Sequence, residues 1–124
     1  MGTRPVILCI DDNELAVTVR KLVLEQAGYE VIVALTGEEG LRLVGTRHVD
    51  LVLSDHFLQG RTGTEIAGEI KAMRPNLPIL LISGMVEPPE DADHVDGFVS
   101  KIDGREALLR EIQRLLNKRI SDAA

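Results

Sequence analysis

Cysteine occurs once in the 124 residues, as Cys9, so no disulfide framework can form within the chain. Cys9 lies inside the apolar run VILCI, where a buried strand thiol is expected, and a reducing, cytoplasmic setting fits it. Tryptophan is absent and the other aromatics amount to two Phe and one Tyr, which leaves no platform for stacking bases. The formal charge of −6 comes without a basic patch, so a nucleic-acid-binding module is excluded as an expectation. No apolar run approaches the ~20 residues of a membrane span. The opening MGTRPVILCIDD lacks a secretory layout, and Val6 stands where a myristoylation signal needs Ser or Thr. Hydrophobic residues at 44% and charged residues at 27% are the ordinary balance of one soluble domain, here expected over 1–124 with its core about 5–118.

What is present alternates. VILCI is a short β-branched run that stops at Asp11-Asp12. NELAVTVRKLVLEQAG carries Leu15, Val19, Leu22 and Val23 at helical spacing, with Gly28 as a stop. YEVIVAL reads as a strand, beginning at Tyr29, whose side chain is expected to pack. Thr36-x-x-Glu39 is a capping box opening a short helix, and VDLVLS is the third strand. Thr62-x-x-Glu65 opens a helix that halts at Pro75, and PILLIS is apolar enough for a central parallel strand. GFVSK is a weaker fifth strand. Asp103-x-x-Glu106 opens a last helix with Leu108, Ile112, Leu115 and Leu116 on one face, followed by a polar, frayed tail KRISDAA. Five strands alternating with helices predict an α/β fold, a doubly wound parallel sheet covered on both faces.

In such a sheet the functional pocket lies beyond the carboxyl ends of the strands. The first strand ends in Asp11 and Asp12, the third in Asp55, the fourth in Ser83 and the fifth in Lys101. Each has an ordinary reading alone: a helix cap, a turn residue, a solvated charge. Together they put three carboxylates, a hydroxyl and an ammonium on one edge. Clustered carboxylates repel one another unless a cation intervenes.

This set resembles the receiver domain of two-component response regulators, the CheY-like superfamily, over almost the whole chain. Asp11-Asp12, Asp55, Gly63, Ser83-Gly84 and Phe98-x-x-Lys101 carry the resemblance. It implies a flavodoxin-like sheet of order 2-1-3-4-5. It further implies that Asp12, Asp55 and the carbonyl of Phe57 ligate Mg²⁺ directly and Asp11 through water. Asp55 would be the phosphoacceptor, Lys101 and Ser83 would bind the phosphoryl oxygens, and Gly84 would leave the approach open. Ser83 and Phe98 would form a switch that alters the output face, where a homodimer contact is also expected. The implied partner is a sensor histidine kinase or a phosphotransfer protein. The receiver could stand alone or belong to a hybrid sensor kinase or longer regulator. The chain is not read as an enzyme: it would promote its own phosphorylation and dephosphorylation, with no output module after the last helix.

Three features depart from the family pattern. Gln59 stands where a Pro is usual, Ile102 where a cis-linked Pro follows the lysine, and the acidic, Pro88-Pro89-bearing GMVEPPEDADHVDG where a full fourth helix belongs. A short or irregular helix is predicted there, its carboxylates Glu87, Glu90, Asp91 and Asp93 solvated. A cis bond before Ile102 would cost about 3 kcal/mol, so either strain is retained or Lys101 is presented differently. Apolar Phe57 and Met85 flank the implied path of attacking water, which predicts slow autodephosphorylation. Two other classes fit the residues poorly. A metal-dependent phosphatase needs an Asp where Phe57 stands, and a flavin or nucleotide binder needs a glycine-rich loop that DDNELA does not provide. A degenerate receiver, serving as a phosphorylation-independent interaction module, is the alternative. His48, His56 and His94 lack metal-ligand spacing and are expected in surface or loop positions. Lys71, Arg74, Arg110, Arg114 and Arg119 are expected on exposed helix faces, and Arg4, Arg20 and Lys21 are candidates for kinase contact.

Overall fold

Val6–Ile10 (β1) is buried along its whole length, as a strand must be when helices cover both sides of a parallel sheet. In the computed structural model, which describes the backbone of residues 3–123 and the side chains through Arg119, four more strands join it, two of them buried throughout and the two at the edges only in part. The elements are α1 (Glu14–Gln26), β2 (Glu30–Ala34), α2 (Gly37–Thr46), β3 (Leu51–Asp55), a hairpin of β4 (Phe57–Leu58) and β5 (Arg61–Thr62), α3 (Gly63–Met73), β6 (Ile79–Ser83), β7 (Gly97–Ser100) and α4 (Gly104–Ala123). The main sheet is parallel in the order β2-β1-β3-β6-β7. Leaving the small hairpin aside, that is the expected 2-1-3-4-5 order. β3 lies at the centre, between β1 and β6, so its carboxyl end opens at the crevice where the winding reverses.

Alternation divides the strand side chains between two cores. Ile7, Cys9, Leu51, Leu53, Leu80, Ile82 and Val99 pack with Val17 and Leu24 of α1 and with Leu108, Ile112, Leu115 and Leu116 of α4. Leu8, Ile10, Val52 and Ile79 pack on the other side with Leu43, Val44, Ile66 and Ile70 of α2 and α3. Burying each such side chain is worth about 1.5–3 kcal/mol. The helix starts follow their caps: Asn13, Thr36 and Thr62 accept from the amides of Ala16, Glu39 and Glu65.

Five expectations are corrected. The inward stripe of α1 is Val17 and Leu24; Leu15, Val19 and Leu22 face solvent. The connection after β7 is capped one turn earlier than predicted: Ser100 accepts from Ile102 N, Asp103 reaches back to Ser100 N, and Gly104 makes the turn into α4 at φ +85°. The tail does not fray after Asn117, because α4 continues to Ala123 and Arg119 bonds the carbonyl and carboxylate of Asp50; Ala124, like the Met1-Gly2 start, lies outside the described residues. Residues 84–96 form turns and bends with no helix at all. That segment is pinned instead by side chains: Thr64 donates to Asp91, while Asp96 accepts from Lys71 and from Ile79 N. Lys71 and Arg119 are thus partly buried ties rather than free surface charges.

Candidate functional site

Asp55 closes β3, and the strand's two-residue period brings its side chain to the pocket edge with only 5% of the residue exposed. A carboxylate removed from water this far needs donors. It has two: Lys101 Nζ donates to Oδ2 at 2.9 Å, and Phe57 N donates to Oδ1 at 3.1 Å. Lys101 sits just after β7, 46 positions away in sequence, and its side chain remains 40% exposed, so the ammonium can meet both Asp55 and solvent. Among the described residues every peptide bond is trans. Lys101 therefore reaches Asp55 without the cis linkage that the usual proline provides.

Asp11 leaves β1 fully buried, with Oδ1 accepting from Asn13 N at 2.9 Å and Oδ2 from Arg20 Nη1 at 2.9 Å. Asp12, one position on, is exposed. Ser83 ends β6 with no exposed surface, and its Oγ accepts from Met85 N at 3.2 Å. Ser83 pairs with Ser100 across β6 and β7, and half-buried Phe98 pairs with Leu81 two positions back. Among the predicted site residues, the direct side-chain contact is the Lys101–Asp55 pair; Asp11 and Ser83 are engaged with other partners.

Two glycines shape the pocket differently. A Cβ on Gly63 would lie 2.5 Å from the Asp55 carbonyl oxygen and 3.0 Å from His56 Cα, so α3 can begin against the end of β3 only without a side chain there. A Cβ on Gly84 would meet no protein atom, leaving that space open to whatever enters.

Sequence reasoning missed two features. Arg20, a candidate for kinase contact, is turned inward onto Asp11, its side chain 10% exposed. His56, expected in a surface or loop position, lies in the bend after β3 but is buried beside Asp55, its ring edge-on to Phe57 at 4.9 Å and its Nδ1 without a partner in the protein. His48 and His94 are exposed, as expected. Burial pushes the Cys9 thiol up to about 12, which makes it an inert core group.

Among the described residues no three His, Cys, Asp or Glu side chains gather closely enough to hold a metal ion by themselves. The donors on offer at the strand ends are nevertheless all oxygen: the carboxylates of Asp12 and Asp55 and the carbonyl of Phe57, whose amide is already drawn onto Asp55. That chemistry suits a hard, small divalent cation that retains waters, and it fits Mg²⁺.

An aspartate at the switch point of a 2-1-3-4-5 sheet, paired with a lysine from the neighbouring edge, defines a class of signalling domain. The model of the response regulator receiver domain matches residues 7–113, and the chain belongs to that family. The transcriptional regulatory protein GlrR of Escherichia coli (strain K12) is 28% identical over 116 residues, covering 90% of this chain and 26% of its own length. The autoinducer 1 sensor kinase/phosphatase LuxN of Vibrio campbellii is 28% identical over 124 residues, 97% of this chain and 14% of its own. The chain thus spans about a quarter of the first of these relatives and less of the second. The response regulator TrrA of Thermotoga maritima, solved in complex with Mg²⁺-BeF, superposes with a TM-score of 0.85 at 28% identity over 90% of this chain and 98% of that one. No helix among the described residues is long and apolar enough to cross a membrane.

Proposed function

We propose that the chain acts as a single phosphoacceptor switch of a His-Asp phosphorelay, with Asp55 as the acceptor. The observation that carries this is the Lys101–Asp55 pair at 2.9 Å: a buried nucleophile held beside an ammonium that can follow the charge onto a phosphoryl group. Asp12, Asp55 and the Phe57 carbonyl would hold Mg²⁺, with Asp11 joining through water as the resemblance implies; the ion, when bound, offsets negative charge on the phosphoryl oxygens. A carboxylate oxygen of Asp55 attacks phosphorus as the bond to the donor's histidine nitrogen breaks. The nitrogen keeps the electron pair and takes a proton. Lys101 Nζ then pairs with a phosphoryl oxygen, and Ser83 Oγ gives up Met85 N to donate to another. Drawing Ser83 inward frees space for Phe98, and the population of the output face shifts.

The donor is a sensor histidine kinase or phosphotransfer protein. Leu15, Val19 and Leu22 support a helical partner, because they leave an apolar stripe on α1 beside the groove that Lys101 lines. Phe57 and Met85 are apolar where attacking water must pass, which supports slow loss of the phosphoryl group.

The test is intact mass after incubation with Mg²⁺ and a small-molecule phosphodonor. The expected result is a gain of one phosphoryl group in the wild type and none in Asp55→Asn. No gain under any donor would favour the phosphorylation-independent interaction module.

A further inference from the structure

The second buried carboxylate is occupied in a way that the receiver resemblance does not imply. Asp11's side chain is 1% exposed, and both of its oxygens are taken by the chain itself, Oδ1 by Asn13 N and Oδ2 by Arg20 Nη1. The guanidinium cannot lose its proton, so this counter-ion is permanent. It is also 10% exposed, which keeps water from screening the pair. A divalent cation drawing on Asp11 would have to displace Arg20 or bind against its positive charge. Arg20 has somewhere to go: it lines the groove of ≈ 490 Å³ bordered by α1 and the β7–α4 connection.

We propose that Arg20 is an internal counter-ion that competes with Mg²⁺ for Asp11, so that Asp11 joins the metal set only when this pair opens. The inference rests on the acceptor reading above and assigns that site a built-in brake on metal affinity. It agrees with the lack of a three-carboxylate cluster among the described residues. It also explains how Asp11 is tolerated in the interior without an ion, since an unpaired buried charge is strongly destabilising.

The test is calorimetric titration of Mg²⁺ alone into the full chain and its variants, with thermal unfolding followed over the same concentrations. Arg20→Gln removes the charge while keeping a polar side chain, and its Kd for Mg²⁺ is expected to fall about tenfold. Its Tm should be lower than wild type without metal and should rise further with Mg²⁺. The double variant Asp11→Asn/Arg20→Gln, which leaves no unpaired charge, should bind no more tightly than Asp11→Asn alone. Equal affinity in wild type and Arg20→Gln, or a gain that persists in the Asp11→Asn background, overturns the proposal. Absence of Mg²⁺ binding in all four proteins is a separate failure, which removes the acceptor reading itself.

Discussion

Two partners divide the Asp55 carboxylate, one a backbone amide fixed by the turn into β4 and the other a lysine with a solvated stem. The division decides which mutation does what. Lys101→Met removes the mobile partner and leaves the fixed one, so phosphoryl uptake from a small donor is expected to fall about a hundredfold, the usual cost of one lost oxyanion partner. Unchanged circular dichroism with that loss in a mass-based time course supports the role; an unchanged rate removes it. Phe57 is 58% exposed, with an apolar ring where a polar side chain could guide water. Phe57→Asn is therefore expected to shorten the phosphoryl lifetime, and a wild-type lifetime of seconds would count against the apolar barrier. At this scale the sequence was most legible for charges that end strands. Asp11, Asp55 and Lys101 could be located because strand ends converge. Arg20 could not, because helical spacing places it beside the Val17 and Leu24 stripe without saying whether a long basic side chain there turns in to an acid or out to water.

Helix α1 shows how an element can carry more apolar residues than its core contact needs. Val17 and Leu24 anchor it, while Leu15, Val19 and Leu22 remain in water, a pattern that periodicity alone cannot separate from a buried face. Val19→Glu should leave stability within about 0.5 kcal/mol, as surface changes do. It should slow transfer from a kinase while sparing transfer from a small-molecule donor; equal slowing of both would remove the docking role. Gly63 sits at the opposite extreme. Its missing Cβ would press on backbone, which cannot rotate away, so Gly63→Ala should cost about 1–3 kcal/mol in urea unfolding. A cost below about 0.5 kcal/mol would mean that α3 can shift. The segment after β6 was legible as a departure, through Pro88-Pro89 and its acidic run, but not as a pinned loop. Its ties, Thr64–Asp91 and Lys71–Asp96, join residues far apart in sequence.

Across the whole molecule, alternation and the handedness of crossovers predict a doubly wound parallel sheet, whereas its order, 2-1-3-4-5, was legible only through the resemblance to receiver domains. The same burial sets a pH limit. Cys9 is an ordinary thiol in the unfolded chain, with a reference value of 9.0, and is held at about 12 in the fold. Between those values the unfolded state has lost the proton that the folded state retains, so stability falls as pH rises, by about 1.4 kcal/mol per pH unit from this group. Urea unfolding from pH 9 to 11 should show that slope, and Cys9→Ala should flatten it; equal slopes would mean that the thiol is not held neutral. The central claim, however, is that one strand-end carboxylate carries phosphorus, and acyl phosphates can be trapped chemically. Borohydride reduction of phosphodonor-treated chain, followed by peptide sequencing, should find homoserine at position 55 and nowhere else. Homoserine at another aspartate, or none while the protein still gains phosphoryl mass, would contradict it.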